Sequence, residues 1–227
     1  MEFYRILAKA YDEVFPFSDT TFGFLKQYAG DEVLDIGCAT GAYVRKFHEE
    51  GFTAEGIEYV PELISYSENV SVGDMRRLPA GFDGRFSLLY CIGNTLAHCA
   101  DSKDAEEILK GFARTLKKDG KAVIQILNYT RILKNRPAGL PSIETGSVSF
   151  RRDYVYNEKN IEFIGTLTAG GETFSSSVVL YPLTHKELTE AAAKAGFASC
   201  VLYGDFSGTA FKENESFMLV GVLSKND

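Results

Sequence analysis

Short apolar runs alternate with amphipathic segments along the first 133 residues of this chain. Apolar residues recur at every fourth position from Phe3 to Phe15, which predicts an amphipathic helix. Helical spacing returns in three further segments, 21–28, 42–50 and 101–117. Apolar runs predict strands at 33–36, 54–58, 69–75, 86–92 and 121–127. This alternation predicts an α/β fold with a largely parallel sheet.

The remaining third of the chain is rich in strand-forming residues. β-branched and aromatic residues cluster between Gly, Asn and Pro breaks at 147–156, 161–168 and 173–181, which predicts an antiparallel meander. Thr184 and Glu187 match a capping box, so we expect a helix from there to Ala195. The last predicted strands are 198–206 and 217–223.

Composition excludes several classes of protein. The chain has 227 residues, 45% of them hydrophobic, which is enough for a full core without a partner or a disulfide. Its net charge of -7 argues against a nucleic-acid partner. Its four cysteines have no metal-site spacing, so we expect no metal and reduced thiols in the cytoplasm. We find no apolar run long enough for a membrane span.

Candidate chemistry begins where the first predicted strand runs into a glycine-rich turn. Asp35 lies at the strand's end, and Gly37 and Gly41 let the backbone turn sharply and lie close to a ligand. A pyrophosphate-binding turn has its first glycine where this chain has Asp35, whose carboxylate suits a cationic or hydroxyl-bearing ligand instead. Glu58, at the tip of the second strand, is placed to accept hydrogen bonds from both hydroxyls of a ribose.

The turn and the following acid together resemble the class I S-adenosylmethionine-dependent methyltransferases. The resemblance implies a single domain with a Rossmann-like seven-stranded sheet, helices on both faces and a C-terminal antiparallel β insertion. We therefore expect lid helices at 1–29, a cofactor-binding core at 30–133, a substrate-covering insertion at 145–182, and a closing helix and strands at 183–227. The implied cofactor is S-adenosylmethionine.

The segment from Cys91 to His98 resembles one group within this class, because it is similar to the corresponding segment of glycine and sarcosine N-methyltransferases. On this resemblance Asn94 and His98 are candidate catalytic residues. The implied substrate-binding residues are Asn94, His98, Asn128 and Tyr129. The implied cofactor-binding residues are Tyr11, Asp35, Gly37, Cys38, Ala39, Gly41, Glu58, Tyr59, Asp74, Met75, Ile92 and Thr95. Tyr11 as an ordinary core residue, and His98 as a purely structural one, remain alternative interpretations.

One residue departs from the glycine N-methyltransferase pattern. Those enzymes have an Arg immediately before the Asn-Tyr pair, and this chain has Leu127 there. Without this arginine, the paired charge-assisted hydrogen bonds from a guanidinium to the substrate carboxylate are lost. This loss removes about 1.5–3 kcal/mol of binding free energy, so glycine is a doubtful substrate. The arginines that could replace it are Arg131, Arg136, Arg151 and Arg152, each of which we expect as a surface charge.

The sequence thus predicts methylation of a small molecule, at an amine nitrogen, by a monomer or homodimer with no nucleic-acid or membrane partner. Three alternatives remain: an O-methyltransferase of a hydroxyl or carboxyl metabolite, a non-catalytic S-adenosylmethionine-binding protein, and a nicotinamide oxidoreductase. A nicotinamide oxidoreductase needs a turn with three glycines, and this chain has Asp35 where the first of them is required.

Overall fold

A computed structural model describes residues 2–225 of the chain. The helices are α1 (Glu2–Leu7), α2 (Tyr11–Val14), α3 (Asp19–Lys26), α4 (Ala42–Glu49), α5 (Ser102–Thr115), α6 (Tyr129–Asn135) and α7 (His185–Lys194). The strands are β1 (Glu32–Ile36), β2 (Thr53–Glu58), β3 (Val70–Val72), β4 (Phe86–Cys91), β5 (Leu116–Leu127), β6 (Gly139–Glu144), β7 (Val148–Tyr156), β8 (Ile161–Ala169), β9 (Glu172–Leu180), β10 (Phe197–Tyr203) and β11 (Met218–Lys225).

The strands form two sheets. The larger sheet has seven strands in the order β10-β11-β5-β4-β1-β2-β3, and β1 to β5 are parallel where they pair. Strand β11 pairs antiparallel with both β5 and β10. The smaller sheet, β6-β7-β8-β9, is antiparallel throughout. The predicted fold class is therefore confirmed.

Both faces of the larger sheet are covered, and β4 shows why its sequence is apolar almost throughout. Leu88 and Tyr90 pack with Phe47 of α4 on one face. Leu89 and Cys91 pack on the other face with α5, α7 and the smaller sheet. Because successive side chains point to opposite faces, a strand buried on both sides needs apolar residues at every position.

The segment at 3–15 forms a broken helix rather than one continuous helix. Helix α1 ends at Leu7, a 3-10 turn follows at Ala8–Ala10, and α2 continues from Tyr11. The capping box at Thr184 is formed as predicted, with reciprocal hydrogen bonds to Glu187. Two elements were not predicted: strand β6 and helix α6. Every helix that the structure describes is too short or too polar to span a bilayer.

Candidate functional site

The glycine turn after β1 is held in a left-handed backbone conformation at three positions. The φ angles are +74° at Gly37, +48° at Ala39 and +79° at Gly41. A Cβ on Gly37 would lie 2.6 Å from the Cγ2 atom of Thr95, so this position has no room for a side chain. Both the sign of φ and the close approach therefore require glycine at position 37.

Glu58, at the end of β2, is hydrogen-bonded to this turn. Its side chain is 6% exposed, its Oε2 accepts a hydrogen bond from the Ala39 N–H (2.9 Å), and its Oε1 accepts one from the Val60 N–H (2.8 Å). Burial raises the pKa of the Glu58 carboxyl, which the two backbone donors partly oppose. The carboxylate thus lies where the turn and the second strand meet.

Asp35 is buried at the end of β1 with an unsatisfied oxygen. The residue is 2% exposed, and its Oδ1 has no hydrogen-bond partner among residues 2–225. Burial raises the pKa of this carboxyl well above its ordinary value; the adjacent Tyr90 hydroxyl partly opposes this shift, and the nearby charge of Glu58 adds to it. A buried acceptor without a donor is costly, so the site fits a ligand that brings a cationic or hydroxyl donor.

Two adjoining cavities of about 280 and 490 Å³ lie along the carboxyl edge of the larger sheet. Both are lined by Tyr4, Tyr11, Gly37, Ala39 and Gly93. The smaller cavity is also lined by Glu58, Tyr59, Asp74, Met75, Thr95 and His98. The larger is also lined by Asp35, Cys38, Ile92 and Asn94. The structure therefore brings most of the predicted site residues together.

Three predicted site residues line neither cavity: Gly41, Asn128 and Tyr129. Asn128 caps α6 through its Oδ1, which accepts from the Arg131 N–H, and its Nδ2 donates to two backbone carbonyls of the β10–β11 loop. The Tyr129 hydroxyl accepts a hydrogen bond from Asn94 Nδ2 (2.9 Å). Asn128 is 1% exposed and its amide is engaged within the fold, so its contacts here are structural.

Asn94 joins the cavity wall to the end of β5. It adopts a left-handed conformation with φ of +69°, and its Oδ1 accepts a hydrogen bond from the Leu127 N–H (3.0 Å). Its Nδ2 is the donor to Tyr129. These two hydrogen bonds fix the orientation of the Asn94 amide beside the larger cavity.

His98, which the resemblance implies at the substrate, lines the smaller cavity together with Glu58 and Asp74. Its Nε2 lies 2.8 Å from the Tyr4 hydroxyl, and its backbone carbonyl accepts a hydrogen bond from the Arg76 guanidinium (2.7 Å). Burial lowers the pKa of His98 to about 4, and the charge of Arg76 lowers it further. The imidazole is therefore neutral at pH 7.

Tyr4 of α1 was not predicted from the sequence as a site residue. It lines both cavities and contacts His98, and it is not among the residues at four-residue spacing from Phe3 to Phe15. Asp12 accepts a hydrogen bond from the Thr40 hydroxyl (2.7 Å), which ties α2 to the glycine turn.

A family model described as "Methyltransferase domain" matches residues 9–199, which include the turn, both acids and most of the residues that line the two cavities. The chain belongs to this methyltransferase family. The enzyme is an S-adenosylmethionine-dependent methyltransferase, and S-adenosylmethionine is its cofactor. Two features of the structure fit that cofactor: the unsatisfied oxygen of Asp35, and the open space at Gly93, where a Cβ would meet no atom within 4 Å.

The chain is similar to proteins named as N-methyltransferases of glycine and sarcosine. It is 26% identical to a glycine/sarcosine/dimethylglycine N-methyltransferase of Actinopolyspora halophila over 86% of the chain, and it spans only 36% of that longer protein. It is also 26% identical to a glycine/sarcosine N-methyltransferase of Aphanothece halophytica, over 86% of the chain and 77% of the relative.

The fold has a close counterpart among solved structures. An S-adenosylmethionine-dependent methyltransferase from Clostridium acetobutylicum superposes with a TM-score of 0.81 over 99% of both chains, at 13% identity. At that identity the likeness concerns the fold alone.

Proposed function

We propose that this methyltransferase transfers the methyl group of S-adenosylmethionine to an amine nitrogen of a small molecule. The proposed acceptor site is the part of the larger cavity that the smaller sheet lines, because Asp35 and the glycine turn line its other part. The two relatives described above are named for methylation of amino-acid nitrogens, which supports an amine acceptor.

The observation that carries the proposal is that, among residues 2–225, no histidine lines the larger cavity. Among the described residues, the carboxylates that line it are Asp12 and Asp35, and both adjoin the glycine turn at the cofactor end. His98 lines the other cavity and is engaged with Tyr4. A hydroxyl acceptor benefits from a base, whereas an amine needs only to arrive neutral.

S-adenosylmethionine supplies a methyl group on a sulfonium, which reacts by in-line displacement. The protein's own contribution is to bind, to align and to exclude water. Glu58 is the proposed partner of the ribose hydroxyls, and Asp74 and Met75 of the adenine. Phe3 and Phe15, in the proposed lid, line the larger cavity and are the residues that would limit the access of water to it. Alignment alone supplies effective molarities of about 10^5 M or more.

Thermal unfolding with S-adenosylmethionine, S-adenosylhomocysteine and NADH is the first test. A ligand at about 100 times its Kd adds about 2.7 kcal/mol, so we expect both adenosyl compounds, and not NADH, to raise Tm by several degrees. Methyl-labelled cofactor is then incubated with a panel of amines, alcohols and carboxylic acids, and the products are identified by mass spectrometry. We expect N-methyl products, formed faster as pH rises toward the pKa of the amine. Ethers or methyl esters would favour an O-methyltransferase, and cofactor binding without any product would favour a binding protein.

A further inference from the structure

Arg152 lies on the inner face of the smaller sheet. Side chains alternate along β7, and its neighbours on the same face, Phe150 and Tyr154, are both buried. The residues between them face the other way: Arg151 Nε donates to Asp153 Oδ2 (2.8 Å) in an exposed ion pair. Both arginines are predicted from the sequence as surface charges; in the structure Arg151 is exposed, whereas Arg152 is half-buried.

The guanidinium of Arg152 is oriented but not neutralised. Its Nε donates to the Pro141 carbonyl (3.0 Å), and its Nη2 donates to the same oxygen. Within residues 2–225, no carboxylate lies within 4.0 Å of it, unlike the guanidinium of Arg151. Burial lowers the pKa of Arg152, which means that its surroundings disfavour the charge. Two of its five N–H groups are used, and the others are available to a ligand.

Arg152 is also the single described cation that lines the larger cavity. The wall around it is apolar and includes Phe3, Leu140, Phe163 and Leu180. Gly165 pairs with Arg152 across β7 and β8, and a Cβ there would lie 2.3 Å from the Phe3 ring. The ring therefore packs over Gly165 beside the arginine, so the half-buried guanidinium lies next to an apolar part of the cavity wall.

We propose that Arg152 binds a carboxylate of the methyl acceptor, and that the acceptor is an amine joined to this carboxylate through an apolar body. This inference rests on the proposed function, whose acceptor site it specifies. Leu127, where the glycine N-methyltransferases have their arginine, also lines the larger cavity. In this proposal the arginine that binds the carboxylate lies on β7, whereas the glycine N-methyltransferases have theirs at the position of Leu127, at the end of β5. The apolar wall accommodates a larger acceptor than glycine.

The test measures binding without turnover. The enzyme is saturated with S-adenosylhomocysteine and titrated calorimetrically with phenylacetate, 3-phenylpropionate and 4-phenylbutyrate, and with the alcohol that matches each acid. We expect at least one carboxylate to bind about 10 to 100 times more tightly than its alcohol, the range for a charge-assisted hydrogen bond. Arg152→Gln should abolish this preference and leave alcohol binding unchanged. Arg151→Gln, in the exposed ion pair, is the matched control and should retain it.

Three results would overturn the proposal: no carboxylate preference in the wild-type enzyme, a preference that survives Arg152→Gln, or weaker binding of S-adenosylhomocysteine by that variant. The last result would assign Arg152 to the cofactor. If Arg152→Gln does not fold, Arg152→Lys keeps the charge without the planar fork, and we expect it to show a reduced preference. Failure of the proposed function is distinguishable, because it appears in the identity of the methylated products and not in these titrations.

Discussion

Replacing Asp35 by Asn should stabilise the ligand-free enzyme and impair its function. The carboxyl is 2% exposed, has an unpartnered Oδ1 among the described residues, and has a raised pKa. The folded protein therefore holds the Asp35 proton at pH values where the unfolded chain, with a pKa of about 3.9, has lost it. In that range the folded state binds more protons, so this group makes the free energy of unfolding fall as pH rises.

The magnitude follows from this linkage. One proton difference changes the free energy of unfolding by about 1.4 kcal/mol per pH unit. Asp35→Asn removes the titration, so its stability relative to the wild type should grow by up to that amount per unit from about pH 4 to the folded-state pKa, and then level off. For a chain of this size, 1.4 kcal/mol corresponds to roughly 3–6 °C in Tm.

The assay is urea unfolding of both proteins at pH 5, 6, 7 and 8 without ligand, followed by calorimetric titration with S-adenosylmethionine. We expect the two stability curves to diverge as pH rises, and the Asn variant to bind the cofactor about tenfold or more weakly through loss of a charge-assisted hydrogen bond. Parallel stability curves would refute the assignment of Asp35 as a buried, uncompensated acid.

Three further substitutions test other parts of the site. Glu58→Ala removes the acceptor of two backbone N–H groups as well as the proposed ribose partner, so we expect a loss of about 1–3 kcal/mol in unfolding and at least tenfold in cofactor affinity; unchanged affinity in calorimetry would contradict the ribose assignment. His98→Gln should raise the Kd of the cofactor without changing the pH dependence of kcat between pH 5.5 and 8, because the pKa of His98 is about 4; loss of an ionisation from that profile would restore His98 as a base. Gly37→Ala should destabilise by about 1–3 kcal/mol, since it places a Cβ 2.6 Å from Thr95 at a positive φ. Its control, Gly111→Ala in α5, meets no atom within 4 Å and should stabilise by about 0.5–1 kcal/mol.

Local sequence patterns were enough to predict that Asp35, the glycine turn and Glu58 lie at one edge of the sheet. Asp35, the glycine turn and Glu58 follow consecutive strands, and parallel strands bring their carboxyl ends to one edge of a sheet. The order of strands and helices that follows from the same patterns is enough for the fold class. These features depend on neighbours in sequence, which is why they can be predicted without coordinates.

The acceptor side depends on contacts between distant segments, and there the sequence was a weaker guide. Asn128 has the same sequence signal whether it caps a helix or faces a substrate, and only the fold shows that it caps α6. His98 was expected at the acceptor, but its hydrogen bond with Tyr4 lies at the smaller cavity. The position of Arg152 could have been predicted from the sequence, because the two-residue period of a strand places it on the same face as Phe150 and Tyr154.

The packing of Phe3 over Gly165 has a consequence for how the chain folds. Helix α1 is synthesised well before strands β8 and β9, against which it packs. Contacts of such long sequence separation form slowly, because the intervening chain must first be ordered. Helix α1 therefore stays exposed until the smaller sheet is complete. We expect the wall of the larger cavity that Phe3 helps to form to be completed last, which leaves α1 accessible to proteases and chaperones during synthesis.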